Sequence, residues 1–155
     1  MNVQKYQSMV LGTESEANNI NLHIHGVNKE QLKSMKLFGI LLDSELNFSE
    51  HISSVCKKAS QQMGVILKTS KETYIPTYAK LQLYKAAIFS HLTYCSTIWH
   101  FCRASDKRKV ERLQERALRV VFNNESVSYD ELLRLAELPS LVNRRLQEIA
   151  ILMFI

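Results

Sequence analysis

The sequence has few of the residues that interrupt helices or form tight turns. Its 155 residues include four glycines and two prolines, too few for a sandwich of many short strands joined by tight turns. Hydrophobic residues make up 46% and charged residues 23% of the chain, which excludes wholesale disorder. The composition therefore favours a folded domain with long helices.

Acidic residues that could form a catalytic cluster are also scarce. Asp occurs three times, at Asp43, Asp106 and Asp130, and these positions are far apart. This spacing argues against an enzyme that depends on neighbouring aspartates. Lys and Arg number 20 against 15 for Asp and Glu, so the net charge is +5. A basic chain suits a polyanionic partner without identifying one.

Cysteines and long apolar runs are sparse as well. The three cysteines, Cys56, Cys95 and Cys102, are odd in number and irregularly spaced, so they form no disulfide framework. The longest apolar run, residues 149–155, falls well short of the roughly 20 residues of a membrane helix, and the N-terminus lacks the core of a signal peptide. We expect an intracellular protein, nuclear or cytoplasmic, with no membrane partner. Because the last five residues are apolar with no helix stop, we also expect part of a longer protein.

The pattern of apolar residues predicts an α+β fold: a small, mostly antiparallel sheet followed by a bundle of about five helices. Short apolar or alternating runs predict strands over 6–11, 21–25 and 36–42, the last two joined by a loop. The second helix is expected to run toward Trp99 and the third to end near Phe122. Helical spacing and capping residues place the five helix starts near Asn47, Pro76, Ser105 or Asp106, Ser128 and Ser140.

The helix predicted over residues 103–122 is the most informative local feature. It carries seven basic residues against three acidic ones. At about 100° per residue, four arginines lie opposite the apolar residues and form what we call the arginine stripe: Arg108, Arg112, Arg116 and Arg119. Guanidinium groups match phosphate oxygens, so the stripe could follow a phosphate backbone. The alternative, which is the commoner outcome for a charged helix face, is a solvated surface whose arginines pair with Glu111 and Glu115.

Other residues that could carry chemistry give weaker signals. His91, Cys95, His100 and Cys102 are potential metal ligands, but their spacing matches none of the usual zinc patterns. The sequence contains neither a nucleophile elbow nor a glycine loop that would hold a phosphate. Gly39 lies inside the run KLFGILL, where a glycine indicates a bulge or a close approach of backbone, or is simply a weak point in a strand.

Several short motifs follow one another along nearly the whole chain. In order they are Asn2-Val-Gln-Lys5, Met9-Val-Leu-Gly12, Met35-Lys-Leu-Phe-Gly-Ile-Leu-Leu-Asp43, Leu46-Asn-Phe-Ser-Glu-His-Ile52, Val55-Cys-Lys-Lys-Ala59, Leu92-Thr-Tyr-Cys95, Trp99, Arg112-Leu-Gln-Glu-Arg-Ala-Leu-Arg119 and Tyr129-Asp-Glu-Leu-Leu133. Together they resemble the C-terminal part of the reverse transcriptase of non-LTR retrotransposons of the LINE or jockey type. The resemblance implies the end of a polymerase palm, with a hairpin like the primer grip, over residues 1–46. It implies a helical, thumb-like region over residues 47–155.

The resemblance implies an accessory part of an RNA-directed DNA polymerase that holds primer and template, and not a working enzyme. In this family the catalytic carboxylates that bind two metal ions belong to segments that would precede Met1. We therefore expect no catalytic residue, no resident cofactor and no polymerase activity in this chain, whereas the parent polymerase would use Mg²⁺. The implied partners are an RNA–DNA hybrid or another nucleic acid, contacted independently of sequence, and the missing N-terminal polymerase part.

The resemblance also implies roles for individual residues. Lys5 would approach the phosphates of the incoming nucleotide. Leu37, Phe38 and Gly39 would form the tip of the primer grip, and the arginine stripe would contact the nucleic-acid backbone. A different class of function stays open: a noncatalytic helical module that binds a protein, or nucleic acid, through its helix faces.

Overall fold

Two compact units make up the protein, as seen in a computed structural model that describes residues 7–12, 22–24, 26–29 and 31–154. One unit ends at His51 and the other begins at Ile52. The strands precede the helices along the chain, so the predicted α+β class is confirmed. The predicted division into a palm end over 1–46 and a thumb-like region over 47–155 stays a prediction.

The strands of the first unit form two antiparallel hairpins. β1 (Leu22–Ile24) pairs with β2 (Val27–Lys29). β3 (Ser34–Leu37) pairs with β4 (Ile40–Asp43), and the register places Ser34 opposite Asp43. Each hairpin is a separate two-stranded sheet.

Two of the strand predictions, and the loop predicted between the second and third strands, are wrong in detail. Residues 36–42 are not one strand, because the chain reverses at Phe38 and Gly39, whose φ angles of 48° and 84° match a two-residue hairpin turn. β2 occupies part of the segment for which the sequence predicts a loop. In the predicted first strand, Ser8 makes an isolated bridge to Gln31, and the rest of residues 7–12 has no strand structure.

The start of the first helix also differs from the prediction. The sequence predicts Asn47 as the cap, but the Asn47 side chain donates to Glu45 Oε2 at 2.6 Å. The Asp43 carboxylate instead accepts from the backbone N–H groups of Asn47 and Phe48, at 2.9 and 2.7 Å. These bonds hold the connection that leads into the helix, which begins at Ser49.

Five helices follow within the described residues, the number that the sequence predicts. Their bounds are α1 Ser49–Glu72, α2 as a continuous run of Thr77–Tyr84, a π-helical turn Lys85–Phe89 and Ser90–Thr93, α3 Ala104–Phe122, α4 Tyr129–Ala136 and α5 Leu141–Met153. None of these helices is both long enough and apolar enough to cross a membrane, as far as the described chain extends.

Short polar residues fix several helix ends where the sequence predicts them. Ser128 Oγ accepts from the N–H of Glu131 at 3.3 Å, and Ser140 Oγ accepts from the N–H of Asn143 at 3.2 Å. Asn123 ends α3 in the left-handed conformation, with a φ of 51°. The end of α3 and the starts of α4 and α5 are therefore set by local chemistry that is readable in the sequence.

The prediction for α2 is too long, and that for the start of α3 names the wrong residue. α2 ends at Thr93, Cys95 has a positive φ of 47°, and Trp99 lies in the turns that follow. The N-cap of α3 is Arg103, whose side chain makes no capping hydrogen bond. Both predicted caps, Ser105 and Asp106, are already inside the helix.

The hydrophobic core of the second unit surrounds α3, which contacts α2, α4 and α5. Its completely buried hydrophobic side chains include Tyr84, Ile88, Leu92, Trp99, Val110, Leu118, Val121, Leu132 and Leu141. Burying a side chain of this size contributes about 1.5–3 kcal/mol. The inner face of α3 is thus committed to the core, which leaves its opposite face to solvent.

A carboxylate of α3, that of Glu111, connects α3 with α4 and α5 near a buried arginine of α5. Arg145 is 1% exposed, and its guanidinium lies 5.0 Å from the centre of the Trp99 ring. Burial lowers the pKa of Arg145, and the nearby Glu111 carboxylate opposes that shift. Glu111 Oε1 also accepts from the Tyr129 hydroxyl at 2.7 Å and from the N–H of Leu141 at 3.1 Å. One carboxylate on α3 therefore holds the two helices that follow it.

Candidate nucleic-acid interface

Three arginines of α3 project away from the core of the second unit. The buried residues of this helix are Val110, Leu113, Gln114, Ala117, Leu118 and Val121. Arg108, Arg112 and Arg116 lie on the opposite side and are exposed. Helical periodicity therefore places these three residues on the correct face.

The fourth member of the arginine stripe has a different environment. Arg119 Nη2 pairs with Glu115 Oε1 at 2.7 Å. Its Nη1 donates to the backbone carbonyls of Glu125 and Val127, the second at 3.1 Å. Arg119 holds the segment between α3 and α4, so its guanidinium is already occupied by protein groups.

The acidic residues of α3 do not neutralise the other three arginines. Glu115 pairs with Arg119, and Glu111 turns inward to Tyr129 and Leu141. In the part of the chain that the structure describes, no carboxylate forms an ion pair with Arg108, Arg112 or Arg116. Pairing of an arginine with a glutamate of the same helix occurs at Arg119 and not at the other three positions. The exposure of those three arginines fits both the solvated-surface alternative and a phosphate contact.

A groove between α1 and α3 runs beside these arginines. One section, which we call the narrow section, has a volume of about 310 Å³ and includes Ser60 of α1 with Arg112 and Arg116 of α3. A wider section of about 650 Å³ lies toward the C-terminal end of α3, over Met63 and Leu67. Arg116 lines both sections, so the arginines form a basic rim over a partly apolar floor.

Lys109 extends the basic rim, although it is not a member of the predicted arginine stripe. Its Nζ donates to Ser53 Oγ of α1 at 3.1 Å, and its side chain lines the narrow section. The spacing of Lys109, Arg112 and Arg116 is i, i+3, i+7, so helical periodicity carries the signal. The approach of Ser60 has no such signal, because it depends on which side of α1 packs beside α3.

The other predicted contact residues belong to the first unit. Leu37, Phe38 and Gly39 lie at the tip of the β3–β4 hairpin, and the Phe38 ring is 84% exposed. Lys5 lies outside the described residues. The arginine stripe belongs to the second unit, so the predicted contacts are divided between the two units.

The cysteine and histidine side chains of the second unit are shielded to different degrees. Burial raises the pKa of the Cys56 and Cys102 thiols, which keeps them protonated and poorly nucleophilic at neutral pH. Partial burial lowers the pKa of His100, and the positive charges of Lys107 and Arg145 lower it further. Across the described segments, no three His, Cys, Asp or Glu side chains form a group that could hold a metal ion.

The geometry therefore assembles a basic helix face and an adjoining groove in the second unit, and an exposed aromatic hairpin tip in the first. Comparisons of the chain with protein-family models, with curated proteins and with solved structures give no significant match.

Proposed function

We propose that this chain binds the phosphate backbone of nucleic acid through Arg108, Arg112 and Arg116, as the accessory part of a mobile-element reverse transcriptase that holds primer and template. The observation that carries the proposal is the set of three exposed guanidinium groups on one helix face. Within the described residues, none of them has a carboxylate partner. A guanidinium that is not paired within the protein is available to phosphate oxygens.

The spacing of these arginines suits a polyanion better than a single small anion. Arg108 and Arg116 are eight residues apart, which is about 12 Å along a helix. A duplex carries one phosphate charge per about 1.7 Å of its axis, so this helix face can meet several phosphates. Backbone contacts of this kind do not depend on base sequence, as a polymerase requires.

The polymerase part of the proposal is supported by the resemblance of the motifs to non-LTR reverse transcriptases. The segment compared with the primer grip folds as a hairpin with Phe38 exposed at its tip. In that family the catalytic carboxylates belong to motifs that are not among those found in this chain. We therefore expect no template-dependent nucleotide incorporation by this chain with Mg²⁺ or Mn²⁺, and such incorporation would contradict an accessory role.

The test is the salt dependence of binding to an RNA–DNA hybrid. The double variant Arg112→Gln/Arg116→Gln removes two exposed charges and leaves the core residues of α3 in place. If each arginine neutralises one phosphate, the slope of log affinity against log salt should fall by about 2. The fall should be the same for hybrids of unrelated sequence.

A matched variant separates local contact from general charge. Lys68→Gln/Arg134→Gln also removes two positive charges, but these residues pair with Glu72 and Glu131 of their own helices. Its salt slope should equal that of the unmodified protein. An unchanged slope in folded Arg112→Gln/Arg116→Gln would mean that the arginine face is only a solvated surface.

A second candidate function is binding of a protein through α5. This helix exposes Leu146, Ile151, Leu152 and Met153, with exposed fractions between 50% and 79%. Apolar contacts of this kind depend little on ionic strength. Salt-insensitive capture of a protein, lost in Leu146→Ser/Met153→Ser, would favour this alternative.

A further inference from the structure

The narrow section of the α1–α3 groove is lined by cations and hydroxyl groups. Three of them are cations, Lys109, Arg112 and Arg116, and two are hydroxyls, Ser60 and Ser105. None of the described residues that line it is a carboxylate. Every polar side chain of this lining can donate a hydrogen bond to an anion.

The positive charge at this section exceeds what one backbone phosphate requires. A phosphodiester carries a single negative charge, whereas a phosphomonoester carries about −1.5 to −2 near pH 7 and offers three oxygen acceptors. Arg112 and Arg116 have no carboxylate partner among the described residues, and Lys109 donates to the uncharged hydroxyl of Ser53. Three cations therefore line one section whose lining includes no carboxylate, which suits a doubly charged group.

We propose that the narrow section binds a phosphomonoester, carried either by the end of a nucleic-acid strand or by a free nucleotide. Lys109, Arg112 and Arg116 neutralise the group, and the hydroxyls of Ser60 and Ser105 donate to its oxygens. The strand-end form rests on the proposed nucleic-acid binding, whereas the free-nucleotide form does not. In the strand-end form, Arg108 contacts backbone phosphates outside the section.

Cys56 provides an internal reporter of occupancy. It lines the same section, is 7% exposed and has a pKa raised by burial. Alkylation is therefore measured at alkaline pH, where more of this thiol is ionised. A bound phosphomonoester covers the thiol further, so alkylation at Cys56 should slow when the section is filled. Cys95 does not line the section, so its alkylation rate serves as the control within the same sample.

The experiment compares four probes on the full chain: a short oligonucleotide with a 5′-phosphate, the same oligonucleotide without it, a nucleoside 5′-monophosphate and inorganic phosphate. Affinity is measured by calorimetry, and occupancy by alkylation of Cys56. In the strand-end form, the terminal phosphate should raise oligonucleotide affinity at least about tenfold, the gain expected from one or more charge-assisted hydrogen bonds. In the free-nucleotide form, the nucleoside monophosphate should bind and protect Cys56 without any oligonucleotide present.

Variants assign the effect to this section. Lys109→Gln and Ser60→Ala/Ser105→Ala should each remove most of the preference for the phosphorylated probe. Arg108→Gln, which changes a residue outside the lining, should weaken both oligonucleotides alike and keep the preference. Because the altered side chains are outside the core, circular dichroism should show unchanged helix content.

The outcomes separate this inference from the proposed function. Equal affinity for the two oligonucleotides, with no protection of Cys56 by the monophosphate, would overturn the phosphomonoester site and leave backbone binding intact. Binding of the monophosphate without binding of either oligonucleotide would support the site and contradict the proposed function. A preference that persists in both sets of lining variants would also overturn the site.

Discussion

Glu111 connects three helices through one carboxylate. Glu111→Ala removes the acceptor of the Tyr129 hydroxyl and of the Leu141 N–H. It also removes the negative charge that most strongly opposes the lowering of the pKa of buried Arg145. We expect the free energy of unfolding to fall by about 3 kcal/mol, as for a buried polar group that loses its partners. Urea unfolding measures this change. Glu125→Ala, at an exposed position, should change it by no more than about 0.5 kcal/mol, and equal losses in the two variants would contradict the role of Glu111.

Tyr129 makes stability depend on alkaline pH. Burial and the hydrogen bond to Glu111 raise the pKa of its phenol above the ordinary value, and burial also raises the pKa of Tyr84. In the unfolded chain the tyrosine phenols have a pKa of about 10, so above pH 10 the unfolded chain binds fewer protons than the folded chain. The stabilising contribution is therefore complete below about pH 10 and is lost as pH rises beyond it.

The measurement is the free energy of unfolding between about pH 8 and 11, the interval that brackets the ordinary phenol pKa. We expect a decline above pH 10 that is shallower in Tyr129→Phe. The ultraviolet absorbance of phenolate should show that Tyr84 and Tyr129 ionise above the ordinary phenol pKa. Equal pH profiles for the variant and the unmodified protein would exclude Tyr129 as a cause.

At the scale of residues, the sequence predicts which face of a helix a side chain lies on better than it predicts which groups that side chain contacts. Periodicity along α3 separates Arg108, Arg112 and Arg116 from the core side, because helix geometry is local. It could not show that Arg119 binds the carbonyls of Glu125 and Val127, since that contact depends on the path of the chain after the helix. The inward direction of Glu111 likewise depends on where α4 and α5 pack.

At the scale of elements, the β3–β4 hairpin combines an exposed aromatic residue with an unfavourable backbone conformation. Phe38 has a φ of 48°, which costs about 1–2 kcal/mol for most residues other than glycine, Asn and Asp. Asn before Gly39 is the preferred pair for this turn, so Phe38→Asn should stabilise the hairpin. Amide hydrogen exchange of β3 and β4 should slow.

A second exposed phenylalanine supplies the control for this hairpin. Phe101 is 83% exposed and does not have a positive φ, so Phe101→Asn should give no such gain. Equal exchange rates in Phe38→Asn and the unmodified chain would show that the turn is not strained. If Phe38 contacts a primer, the variant with the more stable hairpin should also bind an RNA–DNA hybrid more weakly.

The elements that the sequence predicts well are those with local stop and start signals. Ser128, Ser140 and Asn123 are short polar residues whose side chain or left-handed backbone bounds a helix without help from distant residues. Asn47 is equally suitable by sequence, but Asp43 accepts from the N–H groups of Asn47 and Phe48 instead. The missed strand β2 contains one apolar residue, Val27, followed by Asn28 and Lys29, so its sequence shows no alternation of apolar and polar residues.

At the scale of the whole molecule, the units differ in how much core they contain. Of the buried hydrophobic residues in the described chain, Ile40 and Phe48 precede Ile52, and the remainder follow it. The second unit has about 100 residues, a size at which a single core can support independent folding. The sequence predicts a boundary between residues 46 and 47, whereas the structure divides the chain between His51 and Ile52. The predicted boundary stays a prediction.

A chain of residues 47–155 should therefore retain the helices, their cooperative unfolding and the arginine face. We expect its helical circular dichroism to match the helical part of the full chain, and its salt slope for an RNA–DNA hybrid to be unchanged, because Arg108, Arg112 and Arg116 are all present.

A chain of residues 77–155 is the matched comparison. It lacks α1, and with it Ile52, Ala59 and Ile66, which are at most 5% exposed in the full chain. Since the partners of those side chains would be left in water, the shorter chain should lose cooperative unfolding. Broad, noncooperative unfolding of residues 47–155 itself would show that the helical unit depends on the strands, and the predicted boundary would then be wrong.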